Sequence, residues 1–313
     1  MKNQKTILAV VIALCVVAGV VFIGCCGIMG ALYWGATQPQ QLPYAEGDDL
    51  AAARSRFRTK LLHEGPAPQE YENTAPPKGV SLVQYTSGEL QLNAWLSDDP
   101  GDGKRRPAVV YLHGGWAFGE SDWDDAAPFV EAGFVLMMPM LRAENGNPGS
   151  FEHDYGEVDD AVAAGKHVAA LPYVDSQRVF VAGHSAGAVL AVLVAMVPSD
   201  YQAAAALSGY LDYEGFVNSG WQDAMPYDLN SSEERRLRNP MAFVGSLRLP
   251  VYLYAEQSQP MVYVVNQQFA NKAKQLGKQC EFSSVPGDHM TMVQPAVKRT
   301  IANFQNHSPA AAD

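Results

Sequence analysis

Two short segments alternate apolar and polar residues: Val80-Ser-Leu-Val-Gln-Tyr85 and Leu90-Gln-Leu-Asn-Ala-Trp95, with Ser87-Gly88 between them. That period of two, broken by a turn pair, predicts an antiparallel hairpin. Further along, the pattern changes to uninterrupted apolar runs at 108–112, 134–138, 179–182, 204–207 and 251–254, with a last strand at 280–285. Continuous runs of this length suit strands buried on both faces of a parallel sheet. Between several of them the period shifts to that of a helix, as over 155–171, where Val158, Val162 and Val168 share one face. Strands alternating with helices predict an α/β domain with a mostly parallel central sheet and helices on both faces.

The first residues follow a different rule. From Ile7 to Trp34 there is no charged side chain, and Val, Ile, Leu, Ala and Gly dominate. A run of that length can cross a bilayer as a helix. Lys2 and Lys5 precede it and the next basic residue is Arg54, which predicts an N-terminus inside and the domain outside the cytoplasm. An uncleaved single-pass anchor fits the length best. A cleaved signal peptide, or lipidation at Cys25 within Phe22-Ile-Gly-Cys25, are the alternatives. The expected organisation is an anchor over 1–35, a Pro/Gln-rich spacer with a short helix over 36–78, the α/β domain over 79–306, and a disordered tail over 307–313. Within the spacer, residues 49–62 suit a short helix capped by Asp48 or Asp49.

Composition narrows the function classes. Hydrophobic residues make up 48% of the chain, enough for a sizeable core, and the net charge of −11 with no basic block argues against a nucleic-acid partner. Three of the four cysteines, Cys15, Cys25 and Cys26, lie in the anchor, so Cys280 has no disulfide partner in the domain. No metal-ligand spacing is present, and no cofactor is expected.

Candidate chemistry centres on Gly183-His184-Ser185-Ala186-Gly187, between the strand Arg178-Val-Phe-Val-Ala182 and the apolar helix 188–196. A serine on a sharp strand-to-helix turn, flanked by glycines, is the form of a nucleophile elbow. His113-Gly114-Gly115-Trp116 directly follows another strand, and paired glycines there allow backbone N–H groups to face a developing oxyanion. Gly115, Trp116 and Ala186 are the expected donors. His289, in Val285-Pro-Gly-Asp-His-Met290, follows the last strand and is placed to take the proton of Ser185. The remaining histidines His63, His153, His167 and His307 have no such setting and receive no role.

These motifs, with Leu141-Arg142 before Gly146 and Gly149, Tyr173-Val-Asp-Ser-Gln-Arg-Val179 and Leu249-Pro-Val251, occur in one order. On them, residues from about Gly79 to Phe304 resemble an α/β-hydrolase, and within that superfamily the prolyl oligopeptidase (peptidase S9) catalytic domain and its esterase relatives. The resemblance implies an α/β-hydrolase fold and a Ser-His-acid triad whose acid is an Asp just beyond the seventh strand. Here Gln259 stands at that position, and glutamine carries no charge. Glu256, three residues earlier, is the first substitute, Asp212 the second, and Asp288 a remote third. The expected function is a serine hydrolase cleaving carboxylic esters, with Ser185, His289 and Glu256 as the catalytic residues. Small or surface-borne esters are the expected substrates, since the insert over 211–248 is modest and a propeller has no room before Gly79. Within the insert, Trp221 and Tyr227 are candidates to line an acyl pocket. A peptidase of the prolyl oligopeptidase type, or a catalytically impaired binding module, are the alternatives.

Overall fold

The computed structural model describes residues 48–307. The expected anchor, the start of the spacer and the tail beyond His307 lie outside the described residues. Among the described residues no helix is long and apolar enough to cross a membrane.

Eight strands form one sheet: β1 (Val80–Ser87), β2 (Leu90–Ser97), β3 (Arg106–Leu112), β4 (Val135–Pro139), β5 (Val174–His184), β6 (Ala204–Leu207), β7 (Val251–Glu256) and β8 (Cys280–Val285). Their spatial order is β1-β2-β4-β3-β5-β6-β7-β8. The first two form the expected hairpin, β2 runs antiparallel to β4, and every later pairing is parallel. This is the expected α/β-hydrolase topology. Several strands exceed the apolar runs that announced them, β5 and β7 among them. β5 starts at Val174, where it meets Arg106, because a register irregularity between Arg106 and Ala108 lets the polar stretch 175–178 pass. β7 continues to Glu256, which pairs with Val285 of β8.

The apolar runs are explained by two cores, one on each face. Ala108, Val110 and Leu112 pack on one side with Val158, Ala161 and Val168 of the helix Gly156–Ala169. Val109 and Tyr111 point to the other, with Trp123 and Phe129 of the helix Glu120–Glu131 and Val297 and Phe304 of the helix Val293–Asn306. Phe180 of β5 stacks on Phe304 at 4.4 Å between ring centroids. A strand buried on both faces needs no polar alternation, since neither side meets water.

The short helix Leu50–Ser55 is capped by Asp49, whose carboxylate accepts from Ala52 N at 2.9 Å. From Asp48 to Gln69 the stretch read as a spacer lies against the hydrolase domain. Lys60 N donates to Glu234 Oε1 at 2.7 Å, Leu61 bridges Tyr227, and Ala67 N donates to Ala143 O at 3.0 Å.

One buried polar cluster ties the loop after β4 to the rest. Asp160 is fully buried and accepts from Arg142 N, Nε and Nη2 at 2.9–3.0 Å and from Ser87 Oγ at 2.6 Å. Removing one partner of a buried ion pair leaves the other desolvated and unbalanced. Asp160→Asn is therefore expected to lower unfolding free energy by about 3–5 kcal/mol, read by urea denaturation; a loss below about 1 kcal/mol, the range of an exposed pair, would contradict this account.

Candidate active site

The elbow is set by two backbone crossings. A Cβ on Gly183 would stand 2.2 Å from Gly187 O, and one on Gly187 would stand 2.1 Å from Leu112 O. No side chain fits at those distances, so both positions require glycine. The turn then carries Ser185 at φ 56°, ψ −114°, a conformation costly for an L-residue. Ser185 N donates to Leu207 O at 2.9 Å, and the helix Ala186–Val194 begins at the next residue. Ala186 N–H is one of the first-turn donors that have no intrahelical acceptor. The His113-Gly-Gly turn packs directly against the elbow: a Cβ on Gly114 would lie 3.3 Å from His184 Nδ1 and 3.5 Å from Ser185 Cβ. Gly115 has φ +68°, as the inward-turned loop demands.

His289 Nε2 lies 3.0 Å from Ser185 Oγ. Its backbone carbonyl accepts from His184 Nε2 at 2.9 Å, so the residue preceding the serine holds the loop that bears the imidazole. Burial, then the neighbouring His289, push His184 down to about 4, which keeps it neutral at physiological pH.

The three candidate acids separate. Glu256, at the end of β7, is fully buried, and its Oε1 lies 3.6 Å from His289 Nδ1. Ser208 stands between them, with its Oγ 2.9 Å from Glu256 Oε1 and 2.8 Å from His289 Nδ1. Glu256 Oε2 is buried and has no hydrogen-bond partner among the described residues. Asp212 lies instead at the N-terminal end of the short helix Tyr213–Phe216. Asp288 turns away from the ring and accepts from Met290 N, Thr291 N and Thr291 Oγ1 at 2.8–3.1 Å, which holds its carboxyl below the usual carboxylate range. Gln259 lines the cavity at the start of the helix Pro260–Gln275.

Ser185 and His289 face an open cavity of about 850 Å³, along with Gly115, Trp116 and Ala186. Its walls are largely apolar, from Val189, Phe216, Trp221, Met261 and Val262. Of the two aromatic candidates in the insert, Trp221 lines the cavity, 5.3 Å from Trp116 between centroids. Tyr227 does not. It is buried below, its ring covered by the Arg238 guanidinium at 3.8 Å and its hydroxyl against that of Tyr213. His153, given no role from sequence, also borders the cavity, and burial followed by Arg238 pushes its imidazole down to about 3.

With this geometry in view, the comparisons are specific. The model of the prolyl oligopeptidase family (peptidase S9) matches residues 123–285, just over half of the chain. The chain belongs to the prolyl oligopeptidase family. Among solved structures, a puromycin-hydrolysing peptidase of Mycobacterium tuberculosis is similar at 17% identity and TM-score 0.64, covering 72% of this chain and 39% of that one. Porphyromonas gingivalis dipeptidyl peptidase 4 gives 17%, 0.62, 73% and 35% in the same terms. The esterase Est2 of the planctomycete Thermogutta terrifontis gives 19%, 0.59, 75% and 97%. The chain thus spans about two fifths of the length of those peptidases and nearly all of the esterase. At these identities the likeness establishes the shared fold. A comparison with curated proteins finds no match.

Sequence reasoning passed over two further residues at this prolyl-oligopeptidase-family site. Ser208 directly follows β6, the strand between those bearing Ser185 and Glu256, and a serine at the carboxyl end of that strand was the available signal. Gln69 comes from the stretch before the domain and gave no signal at all. Its Oε1 accepts from Trp116 N at 2.8 Å.

A buried pair, His113 and Glu144, braces the loop after β3. Burial disfavours the charged imidazole, but the Glu144 carboxylate, 2.9 Å from Nε2, outweighs it and pushes His113 up to about 9. A group whose folded pKa exceeds its ordinary 6.5 stabilises fully below that value and loses the contribution as pH rises through the folded pKa. Melting temperature is therefore expected to fall from about pH 7 to 9, and to fall less steeply in His113→Gln. Equal slopes in the two proteins would refute this coupling.

Proposed function

We propose that this family member is a serine hydrolase that cleaves carboxylic esters through an acyl-enzyme. The observation that carries the reading is the left-handed Ser185 with His289 Nε2 at 3.0 Å. Ser185 Oγ attacks the ester carbonyl carbon while its proton passes to His289 Nε2. The carbonyl oxygen, now an oxyanion, is held by the N–H groups of Gly115, Trp116 and Ala186. Collapse breaks the bond to the alcohol oxygen, which takes the proton back from His289. Water repeats the sequence to release the acid. Glu256, buried 3.6 Å from Nδ1, supplies the negative charge that stabilises the imidazolium. Glu256 thus gives the histidine a carboxyl neighbour where Gln259 offers none, which favours the hydrolase over the impaired-module reading. Residues 7–34 tether the domain to a membrane in this reading, with the active site outside the cytoplasm.

The apolar walls favour an uncharged acyl chain over a peptide segment. Each methylene buried there contributes about 0.8 kcal/mol, roughly fourfold in kcat/KM. Across p-nitrophenyl acetate, butyrate and hexanoate, kcat/KM is expected to rise with chain length, and Ser185→Ala to abolish turnover. Faster cleavage of peptide anilides than of any ester would establish the peptidase reading instead.

Gln69 adds a second expectation. Its carboxamide oxygen occupies the hydrogen-bonding direction of Trp116 N–H, which the substrate oxyanion needs. It must leave for that donor to act, at the cost of one hydrogen bond, about 0.5–1.5 kcal/mol. Gln69→Ala is expected to raise kcat/KM about two- to tenfold; a fall would contradict a competing role for this side chain.

A further inference from the structure

The 3.6 Å separation of Glu256 Oε1 and His289 Nδ1 is too long for a direct hydrogen bond. The acid therefore cannot orient the imidazole by itself. Ser208 Oγ contacts both, at 2.9 and 2.8 Å. A hydroxyl has a single proton, and a carboxylate only accepts. Ser208 must then donate to Glu256 and turn a lone pair to His289. The ring can answer only with Nδ1–H, which leaves the lone pair on Nε2, facing Ser185 Oγ. Two hydrogen bonds in series thus select the tautomer that can act as a base.

The backbone supports a built-in role. Ser208 is 2% exposed and has φ 56°, the same left-handed region as Ser185. Its N–H donates to Tyr254 O at 2.8 Å, extending the ladder by one residue past β6. A glycine would occupy this conformation without strain. Against that cost, the serine hydroxyl makes two contacts, to Glu256 and to His289.

We infer that Ser208 is a positioning residue that transmits the charge of Glu256 to His289 and fixes the imidazole tautomer. It does not touch substrate, and no proton is lost from Ser208 during turnover. The inference rests on the hydrolase reading above and adds a residue to it.

A merely structural serine and a relay differ in energetic coupling. Ser208→Ala, Ser208→Gly, Glu256→Gln and Ser208→Gly/Glu256→Gln would be compared with the native chain by ester turnover, with folding checked by circular dichroism. Ser208→Gly suits the left-handed backbone, so the test survives if the alanine variant fails to fold. Each single change is expected to lower kcat on the order of 10²-fold, with KM within about twofold. The double variant is expected to be no slower than the slower single, because both changes cut one chain of contacts. Native-like kcat in folded Ser208→Gly, or losses that multiply in the double variant, would overturn the relay while leaving Ser185 active. A native chain without Ser185-dependent turnover would overturn the relay together with the hydrolase reading.

Discussion

Where a helix leaves the end of a strand and crosses back over the sheet, two backbones must pass without side chains between them. At this crossing Gly183 and Gly187 leave gaps of about 2 Å where a Cβ would be, against Gly187 O and Leu112 O. The placement of Ser185 follows from that steric constraint. It forces Ser185 into left-handed backbone, lifts its hydroxyl above the carboxyl edge of the sheet, and puts the N-terminus of an apolar helix beside it. The same closeness brings the His113-Gly-Gly turn against the serine. The two buried cores hold the strands that meet there, so strain at one residue is sustained by packing over the whole sheet.

Onto that frame the chain adds a line of polar atoms across three adjacent strand ends. Ser185 follows β5, Ser208 follows β6 and Glu256 ends β7, while His289 reaches over them from the loop after β8. A buried carboxylate is costly unless a positive or donor group answers it. Glu256 finds one donor in Ser208, and its second oxygen has none among the described residues. In the proposed mechanism such a carboxylate would stabilise an imidazolium 3.6 Å away, the species that attack by Ser185 would create.

Much of this was legible in the sequence, for identifiable reasons. Buried parallel strands declare themselves as apolar runs, and the elbow declares itself through obligatory glycines. Glu256 was singled out because it ends an apolar strand three residues before Gln259, the position where the resembled family carries its acid. Ser208 and Gln69 were not. A lone serine after a strand, or a glutamine in a Pro-rich stretch, has no periodicity, and its partner is fixed only by tertiary distance. His153 was hidden in the same way, since its place beside Trp116 depends on how the insert folds over the cavity. Tyr227 erred in the opposite direction: an aromatic in the insert packed beneath Arg238 rather than toward substrate.

The central claim is that Ser185 is an activated nucleophile and not a serine held in a tight turn. Intact-mass spectrometry of the native chain and Ser185→Ala after exposure to a fluorophosphonate tests it without assuming any substrate. The account predicts one phosphonyl adduct on the native protein and none on the variant. A folded native chain that stays unlabelled, or a variant labelled equally, would contradict it.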